Sequence, residues 1–233
     1  MKIFTLPGVF RPISDSWMLA DVLREQTIDP RASVVDVCTG SGALAVCAAL
    51  RGARDVTAVD VSRRALLSTR INARLNGVRV RTLRGSLLEP VGTERFDVIV
   101  SNPPYVPCED PDLPTGGPRR AWDAGHDGRV LLDRLLEQAP AHLKPGGVLL
   151  VTHSALIGTD ATVAAMEAGG LDVDIAMRRR GALGPLMRSR VRHLEAQGLL
   201  RPGQREEDVL VIRGRAPAAR RVSLVGAPAA AVA

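Results

Sequence analysis

Short runs that are apolar on both faces recur along the chain, at 33–37, 56–60 and 96–100, and they read as strands buried inside a parallel sheet. Stretches with helical spacing lie between them. Residues 43–50 form one. A second starts at Ser62, an N-cap residue, and runs through Ala65, Leu66, Thr69, Ile71 and Leu75 until Asn76-Gly77 stops it. Further strands are predicted over 78–83, 148–152, 171–177 and 208–212. Helices are predicted over 130–143 and 160–168, with Lys144-Pro145-Gly146-Gly147 as a turn. This alternation predicts an α/β fold: a mostly parallel seven-stranded sheet with helices on both faces.

Two regions break the pattern. Residues 106–128 are rich in Pro, Gly and Asp without any period, and they read as a long substrate-facing loop. Within 185–200, Leu186, Met187, Val191 and Leu194 stand among arginines and predict one basic amphipathic helix, part of an insertion over about 178–205. From residue 215 onward Ala, Pro and Arg leave little to bury, which predicts one domain over 1–214 and a disordered tail over 215–233.

Of the 233 residues, 45% are hydrophobic, enough for a sizeable core, yet no apolar run reaches the roughly 20 residues of a membrane span. No membrane association is expected. Met1 to Arg11 lack the features of a secretory leader, so a cytoplasmic location is expected. Cys38, Cys47 and Cys108 form no Cys-x-x-Cys pair, which argues against disulfides and zinc. The net charge of +6 admits two readings, a nucleic-acid partner or a solvated basic face.

Candidate chemistry sits after two strands. In Asp36-Val37-Cys38-Thr39-Gly40-Ser41-Gly42 the glycines let the backbone approach a nucleotide-like ligand closely, and Asp60, 20 residues past Gly40, ends the next strand where a carboxylate can take two ribose hydroxyls. This motif alone does not choose the cofactor. Asn102-Pro103-Pro104-Tyr105, after the fourth strand, discriminates. A planar amide or exocyclic amine is a weak nucleophile. It gains from two hydrogen-bond acceptors, the Asn102 oxygen and the Pro103 carbonyl, and from Tyr105, the single tyrosine, stacked on its plane.

Asp-x-Cys-Thr-Gly-Ser-Gly and Asn-Pro-Pro-Tyr-Val together resemble the HemK family, the glutamine-N5 methyltransferases of peptide-chain release factors, and most closely its short branch without an N-terminal helical domain. The resemblance covers about residues 9–177 and the last strand. It implies a Rossmann-like class I methyltransferase fold with an antiparallel last strand. S-adenosyl-L-methionine would be the methyl donor and S-adenosyl-L-homocysteine the product. Phe10 to Ser16 resembles the segment near the methionine part of the cofactor. The implied cofactor set is Asp15, Ser16, Asp36, Thr39, Gly40, Gly42, Asp60, Val61, Ser86, Leu87 and Asn102. Asn102, Pro103 and Tyr105 would be catalytic, and Pro104 and Trp122 would face the substrate, a release factor. Whether an activating partner subunit is needed stays open. Ser86 stands where such enzymes often carry Asp, and the basic insertion is longer than the short branch leads one to expect.

Three other classes compete. One is methylation of an adenine or guanine amine in DNA or RNA, with the basic helix as the contact. The others are a non-catalytic cofactor- or ribosome-binding module and a nicotinamide oxidoreductase. His126 and His153 are not expected to be catalytic, because transfer from a sulfonium needs little proton handling before the bond forms. Glu109, Asp110 and Asp112 read as a solvated loop, so no metal is expected.

Overall fold

A computed structural model describes residues 1–218. Its elements run α1 (Ser14–Glu25), β1 (Ser33–Val37), α2 (Ala43–Leu50), β2 (Asp55–Asp60), α3 (Arg63–Leu75), β3 (Arg81–Arg84), β4 (Phe96–Ser101), α4 (Val130–Gln138), β5 (Leu143–Ser154), α5 (Thr159–Ala168), β6 (Asp172–Ala182), α6 (Pro185–Ser189), α7 (Val191–Ala196) and β7 (Glu206–Arg215). The seven strands form one sheet in the order β3-β2-β1-β4-β5-β7-β6. β1 lies parallel between β2 and β4, with Val35 opposite Thr57 on one side and Ile99 on the other. β7 runs antiparallel to both β5 and β6. The chain reverses its direction of winding between β1 and β4, and the crevice beyond their carboxyl ends is where α/β sheets of this kind bind ligands.

Both faces of the sheet are covered, which is why its central strands are apolar throughout. Val34, Val98 and Val100 pack under Leu19 and Leu23 of α1 and Leu44 and Ala48 of α2. The alternate residues Val35, Ile99 and Val151 pack under Leu132 and Leu135 of α4 and Met166 of α5. A third cluster, Val106, Leu183, Met187, Leu194 and Leu200, joins the insertion to the loop after β4.

Several boundaries differ from expectation. α1 covers residues for which no element was predicted, although its buried Met18, Leu19, Val22 and Leu23 carry helical spacing. β3 is shorter than expected. The Lys144–Gly147 turn belongs to β5, and the helix predicted over 130–143 ends at Gln138 in a 3-10 turn containing Pro140. The single basic helix is two short ones, broken at Arg190 (φ −115°, ψ 14°). Arg178 to Arg180 belong to β6 and pair with β7. At the other end Ala216 N donates to Gly147 O (2.8 Å) and Gly146 N to Pro217 O (3.0 Å), so ordered pairing passes residue 214. The rest of the expected tail, 219–233, lies outside the described residues. Among the described residues no helix is long and apolar enough to cross a membrane.

Candidate active site

The turns after β1, β2 and β3 open into one cavity of about 540 Å³. Asp36, fully buried at the end of β1, accepts from Thr39 Oγ1 (2.5 Å) and from Ala45 N (3.0 Å), tying the glycine turn to the start of α2. Burial pushes its pKa up to about 7. Gly42 has φ +81°, and a Cβ there would come within 2.7 Å of the Thr69 side chain, so glycine is required for α3 to pack on the turn. Asp60 accepts from Gly40 N (2.9 Å) with one oxygen and from Ser62 N (2.8 Å) with the other. Both bonds come from the backbone and fix the carboxylate at the cavity wall, while burial raises its pKa. Gly85 admits Pro90, whose Cγ would lie 2.2 Å from a Cβ, and this close approach shapes the turn that brings Ser86 and Leu87 to the wall.

A segment that sequence reading left unassigned closes the cavity. Lys2 N donates to Asn76 Oδ1 (2.8 Å), Phe4 N to Asn72 Oδ1 (2.8 Å) and Leu6 N to Ser68 Oγ (3.2 Å). Spaced four residues apart, these side chains form a polar stripe on α3 that holds the N-terminal strap and presents Gly8, Val9 and Phe10 to the cavity. The stripe was visible in the sequence, although Asn76 had been read as a helix stop alone.

A second cavity of about 450 Å³ shares Phe10, Asn102, Pro104 and Ala121 with the first. Asn102 therefore stands where the two meet. Its Nδ2 donates to Ser16 Oγ (3.1 Å), which fixes the amide and leaves Oδ1 with no donor among the described residues. The Tyr105 hydroxyl donates to Asp15, and Arg179 lies 3.7 Å from the same carboxylate. Burial and that carboxylate push the phenol's pKa well up, so Tyr105 stays neutral and its ring is held in place.

Of the residues predicted to contact the cofactor, Ser16, Thr39, Gly40, Asp60, Val61, Ser86, Leu87 and Asn102 line the first cavity. Asp36 and Gly42 lie behind its wall and shape the turn. Asp15 opens instead into the second cavity, together with Pro103, Pro104, Tyr105 and Trp122. Arg190 has a role that the sequence did not reveal. It donates to the fully buried Asp123 (2.5 Å) and to Pro107 O (2.8 Å), locking the insertion onto the loop that carries Trp122. It looked like one arginine in a solvated run. His153 is buried away from both cavities with Nδ1 2.8 Å from Ser154 O, and burial lowers its pKa to about 4.

The first cavity has the size of a small-molecule site, a glycine cradle for close backbone approach and a fixed carboxylate for ribose hydroxyls, all of which fit S-adenosyl-L-methionine. Cofactors of this type supply an electrophilic sulfonium methyl group.

Residues 1–112 match the family model of the methyltransferase small domain. A Methanocaldococcus jannaschii protein inferred to be a protein N5-glutamine methyltransferase is 32% identical over 187 residues, 80% of this chain and 93% of the relative. A release factor glutamine methyltransferase of Geobacter sulfurreducens is 40% identical over 151 residues, 62% of this chain and 53% of the relative, so the chain spans about half the length of that enzyme. Among solved structures, the E. cuniculi Mtq2-Trm112 complex, responsible for methylation of the translation termination factor eRF1, aligns with a TM-score of 0.61 at 24% identity, covering 90% of this chain and 99% of that one. That last likeness shows the fold. Identity and coverage with the M. jannaschii protein go further: the chain belongs to the HemK-like protein N5-glutamine methyltransferases, S-adenosyl-L-methionine-dependent enzymes of Rossmann-like fold.

Proposed function

We propose that the chain methylates the side-chain amide nitrogen of a glutamine in a peptide-chain release factor, within its Gly-Gly-Gln loop, in the cytoplasm. The observation that carries this reading is Asn102 at the junction of the two cavities, its amide anchored by Ser16 and its Oδ1 left for a ligand. The glutamine amide enters from the second cavity and donates one N–H to Asn102 Oδ1 and the other to the Pro103 carbonyl. Both acceptors turn the nitrogen lone pair toward the sulfonium methyl. Tyr105, held by Asp15, stacks on the amide plane. A bound S-adenosyl-L-methionine would supply the methyl group, its carbon–sulfur bond breaking as the nitrogen–carbon bond forms, and one amide proton would pass to water.

The name of the M. jannaschii relative supports a protein glutamine as acceptor, and that of the G. sulfurreducens relative supports a release factor. Of the arginines that suggested the nucleic-acid reading, Arg190 is tied to the buried Asp123, while Arg178 and Arg180 form exposed surface pairs with Asp208 (3.6 Å) and Glu206 (2.7 Å). The test is transfer of a labelled methyl group to purified release factor, with a Gln→Ala change in its loop and total RNA and DNA as parallel acceptors. Label on the intact factor alone is expected. Label on nucleic acid with none on the factor would overturn the reading.

A further inference from the structure

Glu207, near the start of β7 and opposite Gly181 of β6, borders the second cavity at only 8% exposure. Its Oε1 accepts from Gly184 N (2.9 Å), which holds the first turn of the insertion. Its Oε2 is buried with no hydrogen-bond partner among the described residues. Burial raises the pKa of this carboxyl, and the neighbouring Ser154 hydroxyl and Gly184 N–H oppose that rise in part. A buried carboxylate oxygen without a donor is costly and uncommon in a folded chain, and at the wall of a binding cavity it marks a place for a ligand's donor.

The surroundings restrict what that donor is. Asp15 in the same cavity is answered by Arg179 at 3.7 Å, which leaves Glu207 as the carboxylate a phosphate-bearing ligand would meet. Arg179 and Arg180 line it as well, which opposes a cationic side chain. The remaining wall includes Ile13, Met187 and Val209. A neutral N–H on a polypeptide satisfies all three conditions.

We propose that Glu207 is a specificity-determining residue that accepts, through Oε2, a hydrogen bond from a main-chain N–H of the acceptor polypeptide beside the methylated glutamine. The proposal rests on the second cavity being the acceptor site, as inferred above. It explains how the β6–β7 end of the sheet takes part in choosing the substrate: one carboxylate fixes the insertion with one oxygen and reads the incoming chain with the other.

The test is Glu207→Gln, which keeps volume and the acceptor for Gly184 N but puts an NH2 group where Oε2 was. Methyl transfer to release factor and its binding to the S-adenosyl-L-homocysteine-loaded protein are measured side by side. The KM and Kd for the factor are expected to rise roughly tenfold or more, with a smaller effect on kcat and an unchanged affinity for the cofactor product. Glu207→Ala, checked for folding by thermal melting, should weaken factor binding at least as much. Unchanged KM and Kd in Glu207→Gln, or a loss confined to kcat, would overturn the role. If the wild-type protein methylates the factor while the variant binds it normally, this inference alone falls. If the wild-type protein neither binds nor methylates it, the release-factor reading falls and takes this inference with it.

Discussion

Asn102 and Asp60 stand about the same cavity, yet their partners separate what each does. Asn102 spends its amide nitrogen on Ser16, and the proposed reaction uses its oxygen to hold the acceptor. Asn102→Ala is therefore expected to lower kcat by at least about 100-fold, as loss of one preorganised transition-state hydrogen-bonding group typically does. Titration with S-adenosyl-L-methionine should show a much smaller loss of affinity, since Asn102 is one of many residues lining the first cavity. Turnover close to wild type would remove Asn102 from the mechanism. Asp60, in contrast, is fixed by two backbone N–H groups at the cofactor wall. Its replacement by Ala should weaken cofactor binding by about 10–100-fold, corresponding to a charge-assisted bond of roughly 1.5–3 kcal/mol. Calorimetry showing unchanged affinity would clear Asp60 of that role. The positions of both were legible in the sequence, because Asp60 ends a predicted strand and Asn102 directly follows one. Asp15 was legible only as part of a resemblance, which gave its neighbourhood and not its direction. The first turn of α1 sends Ser16 to Asn102 and Asp15 to Tyr105, and only the helix geometry separates the two.

At the level of elements, the site depends on two tethers. Asn72 of α3 is fully buried, donates to Ser41 O (2.8 Å) and Phe4 O (2.8 Å), and accepts from Phe4 N. One side chain thus joins the helix, the glycine turn and the N-terminal strap. Asn72→Ala leaves buried backbone groups unpaired and should cost about 2–3 kcal/mol of stability. It should also loosen cofactor binding, which a melting curve with and without S-adenosyl-L-methionine would show as a smaller ligand-induced rise in Tm. An equal rise in both proteins would mean that the strap does not contribute to the cofactor site. The second tether is Arg190 on Asp123. In Arg190→Ala, Asp123 keeps Arg119 as its partner (2.6 Å), so the loss should be on the order of 2 kcal/mol, short of the roughly 3–5 kcal/mol of an orphaned buried charge. KM for the acceptor should rise more than the Kd for the cofactor, because the freed loop carries Trp122 of the second cavity and shares Ala121 with the first. An effect on cofactor affinity alone would contradict this assignment. Charge runs hide such tethers: sequence spacing reports that Arg190 lies in a basic segment, but the long-range contact with Asp123 depends on how α6 and α7 break. The same break explains why one predicted helix became two, since 185–200 has the apolar spacing of a helix and nothing local to show that a guanidinium is needed elsewhere.

Across the whole molecule, the mostly parallel sheet was readable because parallel strands buried on both faces carry a signal of their own, and the turn chemistry after β1 and β4 marked two ligand-facing turns, whereas the strand order β3-β2-β1-β4-β5-β7-β6 came only from the structure. Titration behaviour was not, because it depends on burial by distant elements, and two groups show this with opposite signs. His153 is fully buried on β5, with its pKa lowered from an ordinary 6.5 to about 4. The folded state disfavours its charged form, so stability is full above pH 6.5 and is lost as pH falls from there toward 4. Asp36 is raised from 3.8 to about 7. Its carboxylate form is disfavoured in the fold, so its contribution is full below about pH 4 and is lost as pH rises toward 7. The two oppose each other over overlapping windows, worth at most roughly 3 kcal/mol for His153 and roughly 4 kcal/mol for Asp36. Removing one should expose the other. In His153→Leu, stability from denaturant unfolding should fall more steeply between pH 4.5 and 7 than in wild type, by roughly 2–3 kcal/mol over the interval, because only the Asp36 term remains. Asp36→Asn should tilt the curve the opposite way, with stability rising toward pH 7. Parallel curves for wild type and His153→Leu would mean that the histidine titrates alike in the folded and unfolded chains. Such a result would contradict its burial in β5 as the source of the pH dependence and leave the tilt to Asp36 alone.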